Sequence, residues 1–202
     1  MSPSRSRRRR PQKKKSHKKL ILVVAFLVTI GLIVGVVVLI GGIGGNDSRP
    51  VKVRLETNMG DIIIELRDDT PITSGNFMNL VQQGAYDGTL FHRVVAGFVI
   101  QGGQIVSSVS TIPSEVILGS NSNDRGTVAM ALVGNPPDPD SATSQFFINL
   151  VDNNDLDSDF TVFGKVIEGM EVVDQIGEVE TDGEPYNQPL EDVIVNTATI
   201  VD

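Results

Sequence analysis

Val51, Val53 and Leu55 alternate with Lys52, Arg54 and Glu56, the two-residue period of a strand with one face buried. Asn58-Met59-Gly60 supplies a turn, and residues 61–66 read as the return strand. A helix follows. Thr70 is placed to cap it, Pro71 suits its first position, Phe77, Leu80 and Val81 share one apolar face, and Gly84 ends it. Beyond this point the pattern breaks into short apolar runs between glycine-rich turns, at 90–95, 97–101, 127–133, 145–151 and 161–167. A second, brief helix fits around 170–176, and residues 193–201 read as a closing strand. Many short strands with only two helices predict a mostly-β fold, a closed and largely antiparallel barrel rather than alternating β–α units. Closure also pairs the edges that terminal strands would otherwise expose.

The first 50 residues follow a different pattern. Residues 20–40, LILVVAFLVTIGLIVGVVVLI, are 21 positions without a charge. At about 1.5 Å per residue they span roughly 30 Å, the thickness of a bilayer's hydrocarbon core. The reading is one transmembrane signal-anchor helix at 20–40, preceded by a basic cytoplasmic tail at 1–19 and followed by a flexible linker at 41–50. The tail, RSRRRRPQKKKSHKK, is densely basic and the far flank, GGIGGNDSR, is nearly neutral, so the positive-inside tendency leaves the tail in the cytoplasm and residues 51–202 outside. A cleaved signal peptide is the competing account, but its apolar region is normally shorter and ends at a small-x-small site. Gly31 and Gly35 have the spacing that permits close helix pairing, and Asn46-Asp47-Ser48 fits the N-glycosylation pattern.

Charge sharpens the division. Ten of the 17 basic residues lie between Arg5 and Lys19, whereas all 25 acidic residues lie at or beyond Asp47. From residue 46 onward, 25 acidic residues face 7 basic ones, a formal charge of −18 that the overall −8 conceals. Such a domain repels nucleic acid and anionic headgroups.

Several chemistries drop out. With no cysteine there are no disulfides, thiolate nucleophiles or cysteine–zinc sites. Of the two histidines, His17 belongs to the basic tail, and one histidine cannot build the usual histidine-based metal site. No GxSxG element occurs, and Gly102-Gly103 lacks the spacing and lysine of a phosphate loop. Asp155, Asp157 and Asp159 match the opening of a calcium loop, but Phe160 and Val166 stand where such a loop needs glycine and glutamate.

The stretch FHRVVAGFVIQGG, residues 91–103, sets Arg93 and Gln101 among large apolar residues. That combination suits a shallow apolar groove holding one rigid cationic donor and one amide, although Arg93 alone equally fits a surface arginine covering a barrel rim. SQFFINL adds Gln145 and Phe147, and LDSDFTVFGKVIEGMEVVDQI adds Leu156 and Phe160. Periodicity alone would make these phenylalanines ordinary core residues.

Taken together, these pieces resemble the cyclophilin-type peptidyl-prolyl isomerases, whose pattern is recognisable in FHRVVAGFVIQGG, GTVAMALV, SQFFI and LDSDFTVFGKV, and also in TNMGDIIIEL and TPITSGNFMNLVQQGAYDGTLFHRV. The resemblance covers nearly all of residues 51–202. It implies an eight-stranded antiparallel barrel capped by two helices, a peptide groove on the barrel's outside, and neither cofactor nor metal. By position it implies Arg93 as the catalytic arginine with Gln101 beside it, and Phe98, Met130, Ala131, Leu132, Gln145, Phe147, Leu156 and Phe160 as substrate-binding positions. Three positions depart from the family's frequent residues: Leu132 replaces an asparagine, Phe160 a histidine, and Asp155 the tryptophan that bears on cyclosporin binding in some members. The implied activity is cis–trans isomerisation of X-Pro bonds in proline-containing unfolded or newly translocated polypeptides, beside a membrane reached through residues 20–40. The alternative is a tethered module that grips proline-bearing segments or acts as a chaperone without isomerising them.

Overall fold

The computed structural model describes residues 50–106, 108–117 and 119–202. The expected anchor, the basic tail and Asn46 lie outside the described residues. Among the described residues, no helix is long and apolar enough to cross a membrane.

Strand β1 (Lys52–Thr57) buries Val53, Leu55 and Thr57 and leaves Arg54 and Glu56 exposed, the alternation expected from the sequence. It returns through Asn58-Met59 into β2 (Gly60–Leu66), with Thr57 opposite Gly60. The Asn58 side chain also clamps the chain ahead of the last strand, donating to the Asp192 carbonyl at 2.9 Å and accepting from the Ile194 N–H at 2.9 Å.

Helix α1 (Pro71–Gln82) buries Phe77, Leu80 and Val81 as predicted. Its C-terminus is closed by the paired bonds of a left-handed cap: Gly84 N–H to Val81 O and Ala85 N–H to Leu80 O, both 2.9 Å. Gly84 adopts φ +65°, a conformation that a Cβ would strain. The N-terminus differs from expectation. Thr70 makes no capping bond, and its hydroxyl faces Ser74 Oγ instead. The free N–H groups of Ile72 and Thr73 donate to the two oxygens of Glu115, at 3.0 and 2.6 Å, so a carboxylate from a distant loop meets the positive end of the helix.

The remaining elements are β3 (Arg93–Val95), β4 (Val99–Gly102), β5 (Thr127–Met130), β6 (Phe146–Asn149), a 3-10 turn (Asn154–Leu156), β7 (Val162–Glu168), α2 (Met170–Gly177) and β8 (Val195–Val201). All strand pairs are antiparallel, in the order β3-β4-β6-β5-β7-β2-β1-β8. The mostly-β architecture with eight strands and two helices therefore stands, but the closed barrel does not. β3 and β8 form no ladder, and the sheet is an open half-barrel. β3 is too short to reach β8, because Ala96-Gly97 turns it straight back into β4. The seam is spanned by the chain just before β3, which meets the approach to β8 and its first residue: Leu90 bridges Ile194, Phe91 N–H donates to Val193 O, and Val195 N–H donates to Thr89 O.

One aromatic cluster fills the concave side. Phe77, Tyr86, Phe91, Phe146 and Phe163 are all fully buried. Their ring centroids lie 5.0–6.1 Å apart in tilted and edge-on pairs.

Candidate functional site

Strand alternation divides β4, β5 and β6 between two apolar clusters. Ile100, Val128, Met130, Phe146 and Ile148 join the main core, whereas Val99, Ala129, Phe147 and Val162 form a second cluster on the opposite face. Phe98, Ala131, Leu156 and Phe160 pack against that second cluster while remaining half-exposed.

The register lays a row across this outer face. Arg93 of β3 lies opposite Gln101 of β4, Gln101 opposite Phe147 of β6, and Phe147 opposite Ala129 of β5. Neighbouring strands lie about 4.8 Å apart, so the guanidinium, the amide and the phenyl ring are consecutive side chains on one surface. Behind the row, Gly103 leaves room for Phe146 in the main core. It adopts φ +76°, and a Cβ there would come within 2.8 Å of both the Phe146 ring and the Ser144 carbonyl.

A polar relay runs along the edge of the row. Arg93 Nη1 donates to Gln101 Oε1 at 3.4 Å, and Gln101 Nε2 donates to Gln145 Oε1 at 3.0 Å. The first contact is long, so most of the guanidinium's five donors stay uncommitted. Among the described residues Arg93 forms no ion pair; the pairs present join Arg54 to Asp61, Arg67 to Asp69 and Arg125 to Asp174. His92, next in the chain, is half-buried. Burial pushes its pKa down, as does the Arg93 charge, while the Leu90 backbone and the Gln145 side chain act the other way.

The apolar wall is held by amides from elsewhere. Phe160 meets Phe147 edge-on, with centroids 5.5 Å apart and planes at 78°. Asn121 Nδ2 donates to the carbonyls of Asp157 and Phe160, and Asn121 Oδ1 accepts the Val162 N–H at 2.8 Å. The Asp157 carboxylate accepts the Asn123 N–H at 2.6 Å, so this acidic turn serves to hold Leu156 and Phe160 in place. Asn153 Nδ2 donates to the Phe98 carbonyl at 3.0 Å and fixes the opposite wall.

Of the positions expected from the sequence, Arg93, Phe98, Gln101, Ala131, Gln145, Phe147, Leu156 and Phe160 are brought together here. Met130 and Leu132 are not. Met130 is 1% exposed within the main core, and Leu132 packs against that same core. The cause is parity: Ala131 faces outward, so the residues on either side of it face in. Val99 occupies the outer cluster instead. Its signal was present in the sequence, since it shares strand parity with Gln101.

An outward-facing apolar patch, one uncommitted guanidinium and an amide relay can bind a small apolar ring and donate to an atom beside it. The comparisons agree with that chemistry. The family model for cyclophilin-type peptidyl-prolyl cis-trans isomerases matches residues 52–200. A peptidyl-prolyl cis-trans isomerase of Acinetobacter baylyi is 44% identical over 160 residues, covering 72% of this chain and 83% of that protein. Peptidyl-prolyl cis-trans isomerase B of Escherichia coli is 39% identical over 164 residues, covering 73% of this chain and 98% of that protein. A cyclophilin-type isomerase of Cryptosporidium parvum, solved in the presence of the dipeptide Ala-Pro, superposes with a TM-score of 0.67 at 28% identity, covering 75% of this chain and 99% of that one.

Proposed function

The chain belongs to the cyclophilin-type peptidyl-prolyl cis-trans isomerases and has their activity, and we propose that Arg93 drives it by donating to the prolyl nitrogen of a twisted X-Pro amide. The observation that carries this reading is the cross-strand row of Arg93, Gln101 and Phe147, with a guanidinium free of carboxylates among the described residues.

Amide resonance imposes a rotation barrier of roughly 18–20 kcal/mol. No bond breaks, so neither a nucleophile nor a metal is called for. In the planar ground state the prolyl nitrogen is a poor acceptor. As the amide twists, the nitrogen becomes pyramidal and regains its lone pair. A donor held at that position binds the transition state more strongly than the ground state. Phe98, Val99, Phe147, Leu156 and Phe160 would enclose the proline ring. Gln101 and Gln145 would hold Arg93 in line and supply amides for the neighbouring carbonyl. Arginine suits the task because its planar fork keeps several donors in fixed directions.

Exchange spectroscopy on an Ala-Pro peptide with the full-length chain tests this role. Wild-type exchange rates in a folded Arg93→Ala protein would remove Arg93 from the mechanism.

We place the domain outside the cytoplasm, tethered by residues 20–40, where its clients are proline-bearing polypeptides newly delivered across the membrane. The charge asymmetry of the first 50 residues and the 21-residue apolar run support this arrangement. Protease added to intact cells or spheroplasts should digest residues 51–202 and leave the basic tail protected. Protection of the domain, or its release by alkaline carbonate washing, would reverse the topology or remove the anchor.

A further inference from the structure

The edge of β3 that faces away from β4 carries a tightly built loop. Leu190 N–H donates to Glu180 O at 2.9 Å, Thr181 bridges Pro189, and Asp182 N–H donates to Gln188 O at 2.9 Å. The Asp182 carboxylate accepts the Gln188 N–H at 2.8 Å, and Asn187 N–H closes the tip onto Gly183 O at 2.8 Å. The tip is fastened to the sheet where Val94 N–H donates to Asn187 O at 2.8 Å. Val94 points into the core, so its neighbours Arg93 and Val95 face outward on the side of the groove. Asn187 itself is buried, while Tyr186, one residue before the anchor point, is 72% exposed.

Tyr186 is the only large aromatic side chain among the described residues that is mostly exposed. It also sits at the tip of a loop whose two arms are tied together from Glu180–Leu190 to Gly183–Asn187. An aromatic presented this way loses little conformational freedom when a partner covers it, which is the condition for a useful contact. Its neighbour Asn187 is bonded to the free edge of the strand that carries Arg93, beyond the end of the row farthest from Ala129. We propose that Tyr186 is a specificity residue, an aromatic rest for an apolar side chain of the substrate that flanks the X-Pro bond. This rests on the reading of the Arg93 groove as the place of isomerisation.

The test compares the full-length wild-type chain with Tyr186→Ser and Tyr186→Phe by exchange spectroscopy. The peptides share an Ala-Pro centre and carry glycine or leucine in turn at the flanking positions on each side. The expected result is a two- to tenfold loss of kcat/KM, about the size of one aromatic contact, for Tyr186→Ser on at least one leucine-bearing peptide. That loss should fall mainly on KM, with the glycine-flanked peptide unchanged and Tyr186→Phe close to wild type on every peptide. If the wild type turns over the glycine-flanked peptide and Tyr186→Ser is indifferent to the flanks, or slows all peptides by one common factor, Tyr186 has no such role. A wild-type chain that fails on the glycine-flanked peptide overturns the groove reading and this inference with it.

Discussion

Phe146 and Phe147 are adjacent, identical in chemistry and both at least 95% buried, yet they belong to different parts of the molecule. Phe146 packs edge-on against Phe77, Tyr86 and Phe91 in the concave core. Phe147 packs against Phe160 on the convex face, in the row that contains Arg93. The sheet thus carries two apolar faces, one completed by its own helices and the other left incomplete. The lesson is that burial does not tell structure from function here; what matters is whether a cluster is closed by the chain itself.

The largest effect should separate these two rings. Phe146→Ala removes a ring from the closed core and should cost about 3–5 kcal/mol, read as a lower denaturation midpoint. Phe147→Ala should cost less stability and far more turnover, since its cavity opens on a surface that peptide would cover. Equal stability losses with equal activities would erase the distinction between the faces. Next comes Arg93→Ala, expected to lower kcat/KM by about a hundredfold or more while the denaturation midpoint stays put. A parallel fall in stability would make Arg93 a rim residue that also holds the sheet.

Tyr86→Phe probes the closed face more gently. It removes the 2.9 Å hydrogen bond from the phenol to the Ser144 carbonyl and should cost about 1 kcal/mol at neutral pH. Burial also drives the Tyr86 phenol well above its ordinary value, because the charged form is excluded from the core. A group with a raised folded-state pKa contributes stability that is intact below the unfolded value, about 10 for tyrosine. That contribution falls away as pH climbs beyond it. Wild-type stability should therefore decline at alkaline pH, and Tyr86→Phe should flatten the decline. The smallest effect is on the open face. Phe160→Leu keeps the wall apolar but loses the edge-on contact with Phe147, worth about 0.5–1.5 kcal/mol, and should appear mainly as a raised KM.

Local patterns made much of this fold legible. The alternation in residues 51–66 yields β1 and β2 with the expected buried faces, and Phe77, Leu80, Val81 and Gly84 mark α1 and its end. What escaped notice depends on partners distant in the chain. Glu115 caps α1 from 42 residues beyond Thr73, and no local signal distinguishes it from any loop glutamate. The open seam between β3 and β8 follows from a strand of three residues, whereas the apolar run 90–95 suggests a longer one. At the site, the motifs point to Arg93, Gln101 and Phe147, which the ladders bring into one row, but motif position alone does not say which way a side chain points. Met130 and Leu132 sit inside the motif and face inward, while Val99, passed over, faces out.

The row from Arg93 through Gln101 and Phe147 to Ala129 joins four segments that are close only because their ladders are in step. Inserting one residue within β4 would bring Ile100 to the surface and turn Gln101 inward, dismantling the site without altering a single side chain's identity. Lengthening the stretch between β4 and β5 would leave that frame untouched. The strands therefore tolerate changes of residue but not of count, while the connections can lengthen wherever they spare Glu115, Asn121 and Asn123, which hold α1 and the apolar wall.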